Sequence, residues 1–282
     1  MKDEFAGKLV KCLQCGRENR VPGAAVPVQV QADPVFDRDI FLLRQQLLRI
    51  SEKYDVSDEQ GKQIVYVERP AHLLRNLGAV VAGLAAGAAV FVGLGAIAAR
   101  TQPGSSAEAI LTVAALVLAL GAVMGVGIPL SAKRHVTFYR DASKRDRLLD
   151  VLQDKKFQPI TQTYTARDRT GRPIARFAKN WLYNVIRKRW YVYGPTGRLM
   201  LLAKEDSVIL SLLRRLIGPL FGLLRTNFIV LPANGDDVVG EFKRKFTILD
   251  RYVLDMSPDR QRLVDRRIAL ALGVMLDTGE RR

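Results

Sequence analysis

The sequence predicts an α+β protein in which antiparallel β-strands close around a hydrophobic C-terminal helix, with a two-helix transmembrane hairpin inserted among the strands. Three observations support this fold class. Two long segments carry no charge, four segments repeat one hairpin pattern, and a segment near the C terminus has no polar face. The chain of 282 residues is long enough for one large domain or two smaller ones.

The uncharged segments run from Leu77 to Ala99 and from Ile110 to Leu130. Each could cross the hydrocarbon core of a bilayer, which takes about 20 residues. Both are rich in glycine and alanine, and small residues let membrane helices approach closely. Two pairs fit the small-xxx-small pattern, namely Gly83 with Gly87 and Gly121 with Gly125. We therefore expect a packed hairpin; the alternative is a pair of buried core helices.

Basic residues set the expected orientation of this hairpin. The connection between the two segments carries only Arg100, whereas Arg69, Arg75, Lys133 and Arg134 flank them on the outer sides. Lys and Arg accumulate on the cytoplasmic side of a membrane. We expect an inner-membrane, multi-pass protein with the barrel and both termini in the cytoplasm. The first residues lack the apolar run of a signal peptide.

Four segments share a run of aromatic and β-branched residues, a short cluster of Asp, Asn, Pro and Gly, and a second alternating run. They are Tyr54 to Glu68, Tyr164 to Phe177, Tyr191 to Ala203 and Phe228 to Phe242. This pattern is typical of β-hairpins with tight turns. The glycines expected to supply a positive φ are Gly61, Gly171, Gly197 and Gly235. Several short hairpins in series predict a sandwich or a closed barrel.

The segment Ile268 to Leu276 is apolar or glycine at all nine positions. A helix without a polar face must be buried on every side, yet nine residues are too few to span a bilayer. Because a wide barrel leaves interior space, this helix is expected to thread it. Five charged residues are expected in water at the two mouths: Asp265, Arg266, Arg267, Asp277 and Glu280. The alternative is a helix lying between a sheet and the membrane.

The order of several motifs resembles the phospholipid scramblase and LURP-one-related family of the tubby C-terminal-like superfamily. The motifs are D-x-x-G hairpins, then "VVGEFKRKF", "YVLDM" and "DRRIALALGVMLD". The resemblance covers Phe41 to Arg69 and Tyr164 to Asp277. It implies a closed twelve-stranded barrel around a central C-terminal helix. It also implies binding of membrane phosphoinositides or phospholipids and, in some members, movement of lipid between leaflets.

The sequence departs from that family in two places. The stretch "FTILDRYVLD" offers only Asp250 and Asp255 where related scramblases carry a calcium loop, and calcium prefers about six to eight oxygen ligands. The membrane segments also come early in the chain. The expected division is an N-terminal tail and linker (1–37), first barrel strands (38–72), the hairpin (73–132) and the remaining barrel (133–282) with its central helix at 262–277.

Two basic regions are candidates for binding lipid headgroups. The segment "SVILSLLRRLIGPLFGLLRTN" (207–227) predicts either two short helices over the barrel or an interfacial segment whose Arg214 and Arg215 contact phosphates. The motif "FKRKF" places Lys243 and Lys245 on one face of a strand and Arg244 on the other. It is interpreted as a headgroup patch or as a solvated exterior. Nucleic acid is not an expected partner.

The N-terminal "KCLQCGREN" contains a C-x-x-C pair, Cys12 and Cys15. A structural zinc site takes four ligands, so this pair would bind zinc only if two chains shared it. There are two alternatives: the pair binds no metal, or it takes part in thiol chemistry. No other cofactor is expected. An enzyme is not expected either, because there are two histidines and no G-x-S-x-G motif.

Charge and motifs together lead to a functional expectation. The formal net charge is +16, which favours an anionic partner surface. We expect a membrane-anchored, scramblase-like protein that binds anionic phospholipid headgroups, with or without lipid movement between leaflets. The alternative is a membrane-tethered scaffold that recruits a protein partner, without lipid transport. A homo-oligomer or a protein partner is expected as an open alternative among its partners.

Overall fold

The computed structural model describes residues 9–11, 18–20, 33–46, 52–182, 184, 188–206, 227–245 and 251–278. The chain divides into two compact units, 1–37 and 38–282. The first unit contains a two-stranded antiparallel sheet of β1 (Leu9–Lys11) and β2 (Glu18–Arg20). It also contains a 3-10 turn at Pro34–Phe36. All remaining elements belong to the second unit.

Twelve antiparallel strands of the second unit form a closed barrel in chain order, and β14 pairs with β3 to close it. The strands are β3 (Ile40–Gln45), β4 (Glu52–Ser57), β5 (Gln63–Arg69), β6 (His135–Tyr139), β7 (Arg147–Gln153), β8 (Thr161–Asp168), β9 (Pro173–Asn180), β10 (Arg189–Tyr193), β11 (Leu199–Glu205), β12 (Phe228–Pro232), β13 (Gly240–Lys245) and β14 (Arg251–Asp255). The predicted α+β fold, a closed antiparallel barrel of about twelve strands around a C-terminal helix, is confirmed.

All four predicted hairpins are present, as β4–β5, β8–β9, β10–β11 and β12–β13. Gly61, Gly171 and Gly197 have φ values of 81°, 83° and 77°, which supply the left-handed turn positions expected of them. The expectation for Gly235 is wrong. Its φ is not in the positive region, because the connection from β12 to β13 is longer and does not need a tight turn.

The C-terminal helix α3 (Arg266–Thr278) lies inside the barrel, and every residue of it except Arg267 is buried. The barrel wall contributes large, fully buried aromatic side chains around it, including Tyr54, Phe138 and Trp190. Packing is close on one side, since a Cβ added at Gly273 would lie 3.3 Å from the Phe242 ring. The interior of a barrel of about eight strands is filled by its own side chains, whereas the wider interior of a twelve-stranded barrel leaves room for a helix.

At the start of α3, Arg266 is buried, so the expectation that it lies in water is wrong, whereas Asp265 and Arg267 are partly exposed. Arg266 is 6% exposed and donates to Asp259 Oδ2 and Asp39 Oδ1, both at 2.7 Å. Burial alone would raise the pKa of Asp259, but hydrogen bonds from Arg266, Val264 and Leu263 outweigh it and hold that pKa below its usual range. A buried charge needs such a partner because its desolvation is costly.

The end of α3 is closed in a similar way. Asp277 is 6% exposed, and its two carboxylate oxygens accept hydrogen bonds of 2.5 Å from the hydroxyls of Tyr54 and Tyr252. Arg69 donates to the carbonyl oxygen of Thr278 at 3.1 Å. The expectation that Asp277 would lie in water is therefore wrong, because the barrel extends past the helix end and supplies donors there. Glu280 lies outside the described residues.

The inserted hairpin consists of α1 (Leu73–Ala98) and α2 (Ser106–Leu130). Both helices are long and apolar enough to cross a membrane, and only 11% of the apolar window of each is buried inside the structure. The turn between them contains Gly104 with a φ of 75°. In α2, Ser105 caps the first turn by accepting from the Glu108 backbone N–H.

Glycines of α1 form the contact between the two helices. A Cβ added at Gly83 would lie 2.8 Å from the Val123 carbonyl oxygen, and one at Gly87 would lie 2.4 Å from a Val123 methyl group. The packing role predicted for this pair is confirmed. The role predicted for Gly121 and Gly125 is wrong, since a Cβ at either position would meet no atom within 4 Å. The residues of α2 that meet Gly83 and Gly87 are Ala119, Val123 and Gly127. They are two positions along the chain from Gly121 and Gly125, so these two glycines lie on the opposite face of α2.

Gly83→Val tests this contact. The added side chain would collide with backbone of α2, so we expect a loss of about 1–3 kcal/mol of stability. Gly93→Val is the matched control in the same helix, because a Cβ at Gly93 meets nothing within 4 Å. Thermal unfolding of both variants in detergent measures the difference. Equal melting temperatures for the two would contradict the assigned contact.

Arg266→Met tests the buried ion pair at the start of α3. Leaving Asp259 buried without its cation should cost about 3–5 kcal/mol at neutral pH. Arg262→Met is the control, because Arg262 contacts Asp39 at 3.4 Å with a half-exposed side chain and should cost at most about 1 kcal/mol. Denaturant unfolding gives both values.

The same pair predicts a pH dependence. The folded pKa of Asp259 is lowered below 3.8, so its contribution to stability is present above that pH and is lost as the pH falls through the folded value. The stability difference between the wild type and Arg266→Met should therefore shrink in acid. A difference that stays constant from pH 7 down to pH 2 would contradict the pairing.

Candidate functional site: the basic rim at the hairpin end

One end of the barrel is joined to the helical hairpin, and we call it the hairpin end. There β5 runs into α1, and α2 runs into β6. Neighbouring strands are antiparallel, so every second connection returns to this end, including those from β7 to β8 and from β9 to β10. These connections therefore lie at the same end of the barrel as the junctions with the two helices.

Hydrogen bonds fix the end of α2 against its neighbours. The Ala132 N–H donates to Asn76 Oδ1 at 3.0 Å, which ties the end of α2 to the start of α1. Arg75 Nε donates to the Leu130 carbonyl oxygen at 3.0 Å, and Lys156 Nζ donates to that of Pro129. The last carbonyls of a helix lack intrahelical partners, and cations are favourable there. The β7–β8 connection is thus attached to the end of an apolar helix.

A groove of about 320 Å³ lies directly beside this junction, and we call it the rim groove. Its lining residues are Lys133, Arg134, His135, Leu152, Gln153, Asp154, Thr165 and Arg167. Lys133 and Arg134 are exposed and follow immediately after α2. The groove is therefore basic and opens where the chain leaves the candidate membrane span.

The single carboxylate among the lining residues is already engaged. Asp154 Oδ2 accepts from Arg176 Nε at 3.1 Å, and its Oδ1 accepts from the Thr165 hydroxyl at 2.6 Å. Lys133 Nζ donates at 2.8 Å to the backbone carbonyl of Asp154 instead of its carboxylate. Among the described residues, Arg75, Lys133 and Lys156 form no ion pair with a carboxylate. Their positive charges therefore remain available to an anion.

Arg134 connects the rim groove to the barrel interior. The Tyr164 ring is buried, and this burial raises the pKa of its hydroxyl, while the nearby guanidinium groups of Arg134 and Arg69 oppose the shift. Arg69 also holds the last carbonyl of α3. Arg69 is therefore held by a group inside the barrel, and Arg134 lies close enough to Tyr164 to influence its pKa.

The basic residues predicted on β13 lie elsewhere on the barrel. Lys243 is exposed and forms an ion pair with Glu241. This pair raises the pKa of Lys243, with smaller contributions from Asp255 and Asp206. Four strands, β14 and β3 to β5, separate β13 from β6 and the rim groove. The structure thus does not bring Lys243 to the groove, and Glu241 neutralises its charge.

Other predicted site residues cannot be placed. The register pairs Arg244 with Tyr252 and Lys245 with Arg251, but only the backbone of these two basic residues is described. Arg214, Arg215, Cys12, Cys15 and Asp250 lie outside the described residues. Residues 207–226 are also outside the described residues; Asp206 and Asn227 lie at the hairpin end, where the Asp206 N–H donates to the Asn227 carbonyl at 3.0 Å.

A second groove, of about 480 Å³, lies on the outer wall across β8, β9 and β10. Its lining includes Thr161, Thr163, Thr165, Arg176 and Tyr193. The one cation in it, Arg176, is paired with Asp154 at 3.1 Å. This groove is therefore polar but offers no unpaired positive charge for an anionic ligand.

Sequence reasoning used Lys133 and Arg134 only to orient the membrane segments and did not identify them as a binding site. The available signal was a basic pair directly after an uncharged span. Within the described part of the chain, there is no group of three or more His, Cys, Asp or Glu residues that could hold a metal ion. No protein-family model matches the chain, and no curated protein is similar to it.

Glu241→Gln tests the neutralisation of Lys243. Removing the carboxylate should lower the raised pKa of Lys243, so a larger fraction of its amine is neutral and its acetylation at pH 9 should be faster. Peptide mass spectrometry after a short pulse of acetic anhydride measures the rate. Glu59→Gln, an exposed carboxylate in the β4–β5 turn, is the control. An unchanged acetylation rate at Lys243 would show that Glu241 does not raise the pKa of Lys243.

Proposed function

We propose that this chain is a membrane-anchored protein whose barrel binds anionic phospholipid headgroups at the rim groove. In this proposal α1 and α2 cross the bilayer and the barrel lies on the cytoplasmic side. The observation that carries the proposal is the group of exposed cations, Arg75, Lys133 and Arg134, at the end of two helices long enough to span a membrane. In a bilayer crossed by α1 and α2, these three cations would lie at the level of the lipid phosphates.

The electrostatics of the rim favour an anionic lipid over a zwitterionic one. Arg75 and Lys133 donate to neutral carbonyl oxygens, so their charge is not cancelled by a described carboxylate. A basic residue close to an anionic membrane surface contributes about 1 kcal/mol of binding free energy. Several such residues at one rim would give a clear preference for anionic headgroups.

The distribution of basic residues supports the proposed topology. Only Arg100 lies in the connection between α1 and α2, whereas Arg69, Arg75, Lys133 and Arg134 lie at the other ends of these helices. The positive-inside rule places that basic side in the cytoplasm. The Pro103–Gly104 turn would then face the opposite side of the membrane.

We also propose membership of the scramblase and LURP-one-related family. Its support is the closed barrel of twelve strands with an enclosed C-terminal helix, which is the architecture that the resemblance implies. A proposal of lipid movement between leaflets rests on the resemblance alone. The uncharged segments Leu77 to Ala99 and Ile110 to Leu130 contain a single hydroxyl side chain, that of Thr112. Neither segment carries a charge that could guide a headgroup across the membrane.

Lys133→Gln combined with Arg134→Gln tests the headgroup site. Native mass spectrometry of the full chain in detergent, titrated with phosphatidylserine or phosphatidylcholine, measures the affinity for each lipid. Two lost cations at about 1 kcal/mol each should weaken phosphatidylserine binding roughly 30-fold and leave phosphatidylcholine binding nearly unchanged.

The matched control is Arg169→Gln combined with Arg172→Gln. It removes the same charge from exposed residues in the β8–β9 turn, at the opposite end of the barrel. An equal loss in both double variants would attribute binding to net charge and not to the rim. Equal affinity of the wild type for the two lipids would contradict the proposal and favour a scaffold. Vesicles with one fluorescent leaflet, kept free of calcium, test lipid movement separately.

A further inference from the structure

Large apolar side chains are exposed in two connections at the hairpin end. Phe157 and Ile160 in the β7–β8 connection are 50% and 49% exposed, and Trp181 and Leu182 in the β9–β10 connection are 45% and 49% exposed. Outside α1 and α2, the other large apolar side chains that are exposed in the described part of the chain are Leu199 and Leu263. Exposed apolar residues are therefore concentrated at one end of the barrel.

The two connections are joined into one surface. The Trp181 N–H donates to the Ile160 carbonyl oxygen at 3.0 Å, and Asn180 Nδ2 donates to the Thr161 hydroxyl at 3.2 Å. Phe157, Ile160, Trp181 and Leu182 thus lie on two loops that are hydrogen-bonded to each other, and we call these four exposed apolar residues the ridge. A ridge held by strand ends on both sides has little freedom to fold its side chains inward.

Contacts with α2 set the level of this ridge relative to the candidate membrane spans. Lys156, directly before Phe157, donates to the Pro129 carbonyl in the last turn of α2, and Lys133 donates to the Asp154 carbonyl. With 26 and 25 residues, α1 and α2 are about 39 and 37 Å long, whereas the hydrocarbon core is about 30 Å thick. The last turn of α2 therefore reaches the headgroup region, and the ridge lies beside it.

The composition of the ridge fits a lipid surface. Tryptophan and other amphipathic aromatic residues favour the boundary between headgroups and acyl chains. Lys155 and Lys156 precede the ridge, and Lys133 and Arg134 lie beside it, which suits an anionic surface. Contiguous exposed apolar groups with a basic border mark interaction sites, and the continuity with α2 selects the membrane as the occupant.

We propose that Phe157, Ile160, Trp181 and Leu182 insert into the interfacial region of the leaflet that α1 and α2 enter from the barrel side. The inference rests on the proposed function, because it requires the hairpin to lie in a bilayer. It goes beyond headgroup binding, since apolar insertion does not depend on lipid charge. The barrel is then seated at the hairpin and at the ridge, which fixes its tilt instead of letting it swing on the β5 and β6 junctions.

Depth-dependent quenching tests the proposal in the full chain reconstituted into phosphatidylcholine vesicles. Bromine atoms near the top of the acyl chains quench a fluorophore that enters the interface. The chain has two tryptophans, and Trp190 is fully buried in the barrel, so the emission lost in Trp181→Phe reports Trp181. We expect brominated lipid to quench the wild type and to have little effect on Trp181→Phe.

Single labelled cysteines provide independent positions in a chain carrying Cys12→Ser and Cys15→Ser. Phe157→Cys reports the ridge, Leu84→Cys reports the exposed face of α1, and Leu263→Cys is an exposed leucine position at the opposite end of the barrel. An environment-sensitive dye on each is measured with lipids brominated near the top of the acyl chains and with lipids brominated near the chain ends, because Leu84 lies near the middle of α1. Quenching at Phe157 and Leu84 but not at Leu263 is the expected result.

Two results would overturn the inference, and they differ in what else they remove. Quenching at Leu84, with Phe157 and Trp181 as unaffected as Leu263, would remove the ridge insertion and leave the proposed membrane anchor standing. No quenching at Leu84 would show that the hairpin is not in the bilayer and would overturn the proposed function together with the inference. Because phosphatidylcholine is zwitterionic, neither result depends on the headgroup preference of the rim groove.

Discussion

The helix α3 has no polar face along Ile268 to Leu276, and the barrel exists at its observed size because this helix must be enclosed. A twelve-stranded barrel is too wide to be filled by its own wall side chains, and a fully apolar helix cannot remain in water. Each therefore solves the packing problem of the other. The close approach of Gly273 to Phe242 shows that the fit is tight on at least one side of the helix.

Because α3 is enclosed, the unfavourable desolvation of charged groups occurs at the two ends of this helix. Charged groups there are removed from water, so each must find partners within the barrel. Arg266 has Asp259 and Asp39, and Asp277 has the hydroxyls of Tyr54 and Tyr252. These partners come from strands and connections far apart in sequence. The helix ends therefore link distant strands and help to fix the register of the closed barrel.

Local sequence patterns were sufficient to predict most helices and strands. They did not predict contacts between residues that lie far apart in the chain. Short glycine-containing turn clusters, two of them of the form D-x-x-G, located four hairpins, and the absence of charge located α1 and α2. The β6–β7 hairpin was missed because its turn, Arg140 to Asp146, contains no glycine, and Lys144 supplies the positive φ of 60° instead. The burial of Asp277 was missed because its hydroxyl partner on β4 is 223 residues away. The rim groove was missed for the same reason, since it combines the end of α2 with β7 and β8.

Several cations at the two ends of the barrel are held by different kinds of partner. At the end away from the hairpin, cations meet carboxylates: Arg38 contacts Asp58 at 3.2 Å and Arg140 contacts Asp146 at 2.7 Å. At the hairpin end, Arg75, Lys133 and Lys156 donate to carbonyl oxygens. A carbonyl positions a cation without neutralising it.

Because β5 and β6 pair directly, with Val67 opposite Phe138, the hairpin can replace an ordinary turn without opening the barrel. The same insertion therefore brings unneutralised cations, apolar loop residues and the candidate membrane spans to one rim, which is why we propose recognition of an anionic surface there.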